Sequence, residues 1–384
     1  MTKQLISFKH LSVKAKYALA FWVAISLYCF LQSVLRLRLN NYLIFENTFF
    51  NLIHQKSLYI DYPELHDDAN HYGPVFSVFI APFAILPRTL GFLLWNLFNC
   101  GLLFKAIQTI HIKHRDDIYL IALPCFVSSM LSQQFNPATA ALIIFSYTLR
   151  NYHRGFWSAF CIVLGTFIKL YGIVGLAFFF FIKDKKHFII SLIVWSIILF
   201  ILPMFFSSPA YVLNSYVEWK SSLSIKNISN IGSLTGDLSV MGMVRTLFSF
   251  HIPNLYFLII GVGLFLLPYI NTSQYNSSRF RMLILAMTLM FPVLFSSGTE
   301  DCTYIIAVIG VGIWFNYTIK NRANKLLLVL VIIASFDFPL MLFPDFTERY
   351  PLIIKIICLP YFIVWLKTIK MAFQHKQVNE LALI

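Results

Sequence analysis

The chain is written as apolar runs separated by short basic turns, and that pattern leaves few folds open. Runs rich in Phe, Leu and Ile occupy residues 17–35, 73–86, 90–107, 117–131, 137–149, 156–168, 170–182, 187–206, 255–270, 282–296, 303–319, 325–343 and 350–369. Only 12% of the 384 residues are charged, and 40 are Phe. An ordinary soluble domain carries about 25% charged residues, and half that charge cannot cover a protein of this size in water. A soluble enzyme, a disordered chain, a collagen and a secreted disulfide scaffold are therefore excluded. The pattern predicts an all-α polytopic membrane protein, with residues 1–384 as a single integral membrane domain.

Residues 1–16 form a basic tail with Lys3, Lys9, Lys14 and Lys16. The run from Tyr17 exits through Ser33-Val34-Leu35 into Arg36, a poor cleavage site. It reads as an uncleaved first transmembrane helix with a cytoplasmic N-terminus. The runs 137–149, 156–168 and 170–182 fall short of the ~20 residues that span a bilayer. They are either short helices lining a cavity that is wet on one side, or longer helices with unrecognised ends. No internal repeat is visible, so an inverted-repeat transporter gains no support.

The net charge of +14 fits cytoplasmic loops against anionic headgroups. There is no basic face of a soluble domain, so nucleic acid is not an expected partner. Placing the basic turns inside (Lys113/Arg115, Arg150/Arg154, Lys183 to Lys186, Arg279/Arg281, Lys320 to Lys325, and the tail with Lys367, Lys370 and Lys376) puts 36–72 and 207–254 outside as two long loops. The turns 132–136, 297–302 and 344–349 and the turn at Lys169 join them. One conflict remains between 36–72 and Lys113, where two apolar runs meet at Pro87-Arg88. Either one run is re-entrant or the Lys113 loop departs from the rule; about 12 spans are expected. Most carboxylates fall outside: Glu46, Asp61, Glu64, Asp67, Asp68, Glu218, Asp237, Glu300, Asp301, Asp345 and Glu348. Asp116, Asp117, Asp184 and Glu380 fall inside, and Asp337 lies within a run. Acid–base chemistry is therefore expected on the outer face. The cysteines (Cys29, Cys100, Cys125, Cys161, Cys302 and Cys358) form no CxxC or His-spaced pair and read as small buried hydrophobes.

The first outer loop divides in two. Leu43, Phe45, Phe49, Phe50, Leu52 and Ile53 recur at helical spacing and predict a helix on the membrane surface. Asp61, Glu64, His66, Asp67, Asp68 and His71 then cluster, as a general base, a metal site or a solvated loop would require. Lys169, in GTFIKLYGIVG, is costly among apolar runs unless it snorkels or meets an anion such as a lipid phosphate. Gln134 and Asn136, in SQQFNPA, can bond hydroxyl groups or satisfy helix ends. Glu300 and Asp301 share a turn on the same face. Asp237 lies in GSLTGDLSVMG, whose glycines allow close backbone approach.

These residues carry a resemblance. From Asn40 to Asn99 the chain resembles glycosyltransferase family 87, the class of polyprenol-phosphate-sugar-dependent α-1,2-mannosyltransferases with a GT-C fold. The corresponding text is NNY, Leu58-Tyr59, YGPVFSVFIAPFAILP and LWNLFN. SQQFN matches a GQxN pattern, and FIKLYG an aliphatic-K-x-x-P pattern. The likeness covers most of 36–206 and continues as a subgroup pattern through LSVMG and the Glu300 turn to VGIW. It implies a GT-C-like bundle. It also implies an inverting hexosyltransferase of the inner (cell) membrane that moves a mannose-like sugar from a polyprenyl phosphate to a lipid-linked or surface glycan. The acid that acts as base in the family falls on Asn41 or its neighbour, and an amide cannot take that proton. Gln133 replaces the glycine before Gln134, and the proline after Lys169 is absent.

The chemistry requires a base for the acceptor hydroxyl and a cation for the departing phosphate. Asp68 is the expected base, with Glu46 the rival. Lys169 and Arg245 are the expected phosphate contacts. Gln134, Asn136, Asp237, Glu300 and Asn41 are expected at the sugar or acceptor. Metal dependence stays open, and no cofactor is implied. The alternatives are a lipid or glycan flippase, a relative that has lost catalysis, and a polymerase or ligase of lipid-linked glycans, which would lean on arginines in 207–254, where only Arg245 occurs.

Overall fold

Ser12 starts the first helix: its hydroxyl accepts the Ala15 N–H at 3.0 Å, satisfying a donor that a helix start leaves orphaned. The helix that follows, α1 (Val13–Leu35), has 23 residues. That is about 34 Å, enough to cross a ~30 Å hydrocarbon layer. The computed structural model describes residues 11–150, 155–249, 252–336 and 349–374. Lys3, Lys9, Arg154, Asp337, Asp345, Glu348, Lys376 and Glu380 lie outside the described residues, as do the end of the run 325–343 and most of the turn 344–349.

After α1 come α2 (Asn40–Ile53), α3 (Pro74–Ala84), α4 (Arg88–Gln108), α5 (Asp117–Ile121), α6 (Leu123–Leu131), α7 (Asn136–Thr148) and α8 (Gly155–Lys169). A 3-10 segment, Tyr171–Phe181, leads to α9 (Lys185–Ile201), α10 (Pro209–Asn230), α11 (Val240–Phe248) and α12 (Asn254–Leu266). The last helices are α13 (Ser278–Leu294), α14 (Tyr304–Tyr317), α15 (Arg322–Ala334), α16 (Leu352–Lys355) and α17 (Cys358–Phe373). No strand occurs among the described residues.

Among the described residues, four stretches are long and apolar enough to cross a membrane: Val13–Leu35, Arg88–Gln108, Lys185–Phe205 and Leu352–Phe373. The remaining apolar helices are shorter. Helices α7 and α8 and the 3-10 segment have 13, 15 and 11 residues, so the short runs in the sequence are short helices. Helix α3, with 11 residues, reaches only about 16 Å, half a hydrocarbon layer. The chain reverses at Pro87, and Gly91 lets α4 close on the end of α3: a Cβ there would lie 2.2 Å from the Phe83 carbonyl oxygen. The two runs in conflict with the charge rule are a half-length helix folded against a full-length one.

Outward-facing apolar side chains mark the lipid surface. On α9, Ile189, Ile190, Ile193 and Ile197 are 44%, 49%, 55% and 55% exposed. A continuous exposed stripe of this kind is sustainable only against hydrocarbon. The core is the α13–α14 pair, in which nearly every side chain from Met282 to Leu294 and from Tyr304 to Trp314 is buried. A second cluster is aromatic. Phe76 packs edge-on against Phe45, Trp95 and Phe135 with ring centroids 4.9, 6.1 and 5.9 Å apart. All six cysteines are buried and free.

The second long connection is largely helical and the first is helical in its first half. In 207–254 the chain forms α10 and α11. In 36–72 the expected surface helix exists as α2, but Ile44, Phe45, Phe49 and Leu52 are buried within the protein. Helical periodicity predicts an apolar face; here α3 covers much of it.

Gly310 sets the α13–α14 approach, because a Cβ there would meet the Ala286 carbonyl oxygen at 2.5 Å. Gly310→Val should therefore destabilise the bundle by roughly 1–3 kcal/mol, read as a lowered unfolding temperature in detergent. Gly263→Ala is the control, since nothing lies within 4 Å of its added Cβ.

Candidate functional site

The site begins in the turn between α6 and α7. Gln133 adopts φ +58°, a left-handed conformation that costs a non-glycine residue roughly 1–2 kcal/mol. Three hydrogen bonds hold it there. Its carbonyl accepts from Trp95 Nε1 at 2.8 Å, its Oε1 from the Tyr42 N–H at 3.1 Å, and its Nε2 donates to the Arg38 carbonyl at 2.5 Å. The replacement of glycine by Gln133 keeps the backbone shape and adds a side chain that ties down the start of α2.

The next residues converge on Lys169. Its ammonium donates to Asn136 Oδ1 at 2.6 Å and to Gln134 Oε1 at 3.5 Å. Asn136, fully buried, in turn donates to Gln134 Oε1 at 3.1 Å and to the Cys302 carbonyl at 3.2 Å. The rings of Tyr72 and Tyr171 lie 5.6 and 5.3 Å from the ammonium, within reach of a cation–π attraction. Lys169 ends α8. Leu170, at φ +46°, reverses the chain so that the 3-10 segment packs back on α8. That packing needs Gly172, where a Cβ would lie 2.4 Å from the Gly165 carbonyl carbon. Glycine thus stands where the family pattern has proline.

Glu300 completes this side. Its Oε2 accepts from Gln134 Nε2 at 2.9 Å, and it begins a capping box with Thr303. The Ser296–Glu300 turn is held by the chain beside it, through Asp237 N to Ser297 O at 3.1 Å and Leu238 N to Thr299 O at 2.8 Å. Among the described residues no carboxylate forms an ion pair with Lys169. Neutral amides and rings hold the ammonium without cancelling its charge.

Asp68 stands on another wall. Its Oδ2 meets Lys226 Nζ at 3.0 Å and its Oδ1 lies 3.8 Å from His71 Nε2. Burial opposes its charge, but the neighbouring His71 and the bond from Lys226 prevail and hold the carboxyl well below the usual carboxylate range. Asn41 Nδ2 donates to the Ser132 carbonyl at 2.8 Å, a bond that an ionised aspartate there could not make.

One cavity of about 310 Å³ joins these groups. That volume falls at the small end of ligand pockets. Asn41, Asp68, Gln134, Lys169 and Glu300 all line it. Asn136 reaches it through Lys169. Glu46, Asp237 and Arg245 do not line it. Glu46 pairs with Arg88 at 2.9 Å. Arg245, expected at the phosphate, instead meets Asp237 at 2.5 Å and the Ile252 carbonyl and Asn254 Oδ1. Burial raises the Asp237 carboxyl above its ordinary value, while Ser239, Arg245 and Lys355 oppose the rise. Asp61, Glu64 and Asp67 are exposed, and among the described residues no three His, Cys, Asp or Glu side chains gather as a metal-binding set.

Sequence reasoning missed Lys226, which also lines the cavity. It belongs to the inner face of α10 with Trp219, Leu223 and Asn230, spaced as a helix repeats; that spacing was the available signal.

Fold and site define an all-helical membrane protein with a polar, cation-bearing cavity at the ends of short helices. The sequence model of glycosyltransferase family 87 matches residues 70–297, and the chain belongs to that family. It is a membrane glycosyltransferase. The matched stretch contains the Gln134, Lys169 and Lys226 positions, while Asn41, Asp68 and Glu300 fall outside it. No match was found among curated proteins.

Asn136→Ala removes the nearest acceptor of Lys169. Glycosyl transfer should fall roughly tenfold or more, because the ammonium loses its fixed position, while the protein still elutes as a single species. An unchanged initial rate would mean that Gln134 alone suffices.

Proposed function

We propose that this membrane glycosyltransferase transfers a hexose, mannose-like, from a polyprenyl-phosphate sugar to a hydroxyl of a lipid-linked or surface glycan. The observation that carries this reading is the Lys169 ammonium, unpaired by any described carboxylate, facing the same cavity as the carboxylates Asp68 and Glu300. An uncancelled cation beside a cavity in an apolar bundle favours an anionic ligand, and a lipid phosphate brings its negative charge to the membrane boundary.

In this reading Asp68 accepts the acceptor's hydroxyl proton as its oxygen attacks the anomeric carbon. The bond from that carbon to the phosphate oxygen breaks, and its electron pair leaves with the polyprenyl phosphate. Lys169 stabilises the growing charge. Attack opposite the leaving group inverts the anomeric centre. Gln134, Asn41 and Glu300 contact the sugar or the acceptor. The concentration of carboxylates in segments assigned outside by loop charge supports an outer-face reaction in the cell membrane, with the N-terminus in the cytoplasm. Membership in a glycosyltransferase family favours catalysis over a flippase using the same cavity.

Activity of purified variants with a polyprenyl-phosphate sugar tests the assignments. Lys169→Met should lower turnover by about 10²–10³-fold, and Lys169→Arg should keep part of it. Asp68→Asn should cost 10²–10⁴-fold, and the exposed Asp61→Asn almost nothing. Because the folded Asp68 carboxyl titrates low, the base stays ionised through neutral and mildly acidic pH. It is lost only as pH falls through that depressed value. The acid limb of the kcat/KM profile, which reports the free enzyme, should therefore lie below the usual carboxylate range, and Lys226→Met should move it upward. Full activity of both Lys169→Met and Asp68→Asn would remove the mechanism.

A further inference from the structure

Among the cations lining the cavity, Lys226 differs from Lys169 in how it is held. Lys169 is fixed by two amides and flanked by two rings. Lys226 reaches from α10 across to the loop before α3, and its ammonium has the Asp68 carboxylate as hydrogen-bond partner at 3.0 Å. The rest of this α10 face is anchored independently. Trp219 Nε1 donates to the His71 carbonyl at 2.9 Å, Ser222 Oγ to the Asn70 carbonyl at 3.2 Å, and Ser222 Oγ meets His71 Nδ1 at 2.7 Å. The helix can therefore stay seated while the Lys226 head group moves, since its four-carbon stem is flexible and its ammonium binds as a point charge.

The pair also blocks Asp68. Its Oδ2 is taken by Lys226, and its Oδ1 accepts the Ala69 N–H at 2.8 Å and faces His71. The carboxylate is about half exposed, but with an ammonium on Oδ2 it is a weaker acceptor for a hydroxyl proton.

We propose that Lys226 is a second ligand for the donor's phosphate, and that its transfer from Asp68 to that phosphate uncovers the base. This rests on the donor and base assignments above. In the structure the Asp68 carboxylate and the Lys226 ammonium neutralise each other. When the donor enters, the ammonium turns to a phosphate oxygen and Asp68 is freed beside the acceptor. After transfer the proton resides on Asp68 and the leaving phosphate is shared by Lys169 and Lys226. Release of polyprenyl phosphate and loss of the proton to water restore the pair. Without a bound phosphate the base stays paired with the ammonium and is weakly basic.

The pair can be read without turnover. A water-soluble carbodiimide activates a carboxyl and joins it to a touching amine as an amide, the water being taken up by the reagent as a urea. In the full-length protein in lipid nanodiscs, peptide mass spectrometry should find an Asp68–Lys226 cross-link. Saturating polyprenyl monophosphate, verified by binding of the radiolabelled lipid, should suppress that cross-link at least fivefold. Polyprenol and inorganic phosphate at the same concentration should not. The exposed Lys14–Asp117 pair, 2.6 Å apart, should cross-link equally in every sample. Lys226→Met should weaken binding of the phosphorylated lipid about tenfold and leave polyprenol binding unchanged; Lys226→Arg should restore part.

Persistence of the cross-link with the lipid phosphate bound overturns the exchange, even if Asp68→Asn is inactive and the base assignment stands. Suppression by inorganic phosphate alone overturns the lipid-donor part and assigns the site to free phosphate. If polyprenyl phosphate does not bind at all, the donor reading falls and the exchange falls with it.

Discussion

A lysine ammonium held among apolar helices needs oxygen acceptors or a counter-anion, and much of this site follows from how Lys169 meets that need. Desolvating an ammonium costs several kcal/mol. Hydrogen bonds to a charged group each contribute about 1.5–3 kcal/mol, and two aromatic rings add to them. Those terms offset part of that cost. They leave its charge uncancelled toward the cavity, which distinguishes Lys169 from Arg245. The Arg245 guanidinium is paired directly with the Asp237 carboxylate at 2.5 Å and does not line the cavity.

The surrounding elements make that placement rigid. The α6–α7 turn presents both amides, and its strained Gln133 is fixed by Trp95 from α4 and by the backbone at the start of α2. Beneath the turn, Phe45, Phe76, Trp95 and Phe135 interlock edge to face, an arrangement aromatic rings prefer. On the far side, Asp237, Arg245 and Lys355 form a polar knot. Lys355, buried to 2% exposure, donates to the Ser233 and Gly236 carbonyls, and the chain it secures is hydrogen-bonded to the Ser296–Glu300 turn. These residues act on the cavity through the backbone they hold.

Much of this was legible in the sequence. Apolar runs with few charges gave a helical membrane protein because lipid admits only helices and closed barrels, and long continuous apolar runs lack the alternation of barrel strands. Lys169 stood out as a charge between such runs, and Gln134 and Asn136 followed from a spaced pattern whose meaning is now physical: their oxygens hold the lysine. Other parts were hidden for identifiable reasons. Helix α10 mixes Ser, Asn and Lys with aliphatic residues, so its 22 residues read as a loop and Lys226 was lost within it. Asp237 and Arg245 are eight residues apart, partly across a non-helical segment, so no periodicity announces their pairing. The apolar face of α2 was evident, but periodicity cannot say whether lipid or protein covers it. Apolar runs alone suggested about 12 spans; among the described residues four helical stretches meet the length that crossing requires, and the other apolar helices are shorter.

The most direct measurement is donor turnover. Purified full-length protein is incubated with a panel of sugars carried on polyprenyl phosphate, on nucleoside diphosphates and on polyprenyl diphosphate, together with a glycan acceptor. Released polyprenyl monophosphate is quantified. The expected result is its release in equal amount to glycosylated acceptor from one polyprenyl-monophosphate sugar. Turnover from a nucleotide sugar, with none from any polyprenyl-phosphate sugar, would contradict the account.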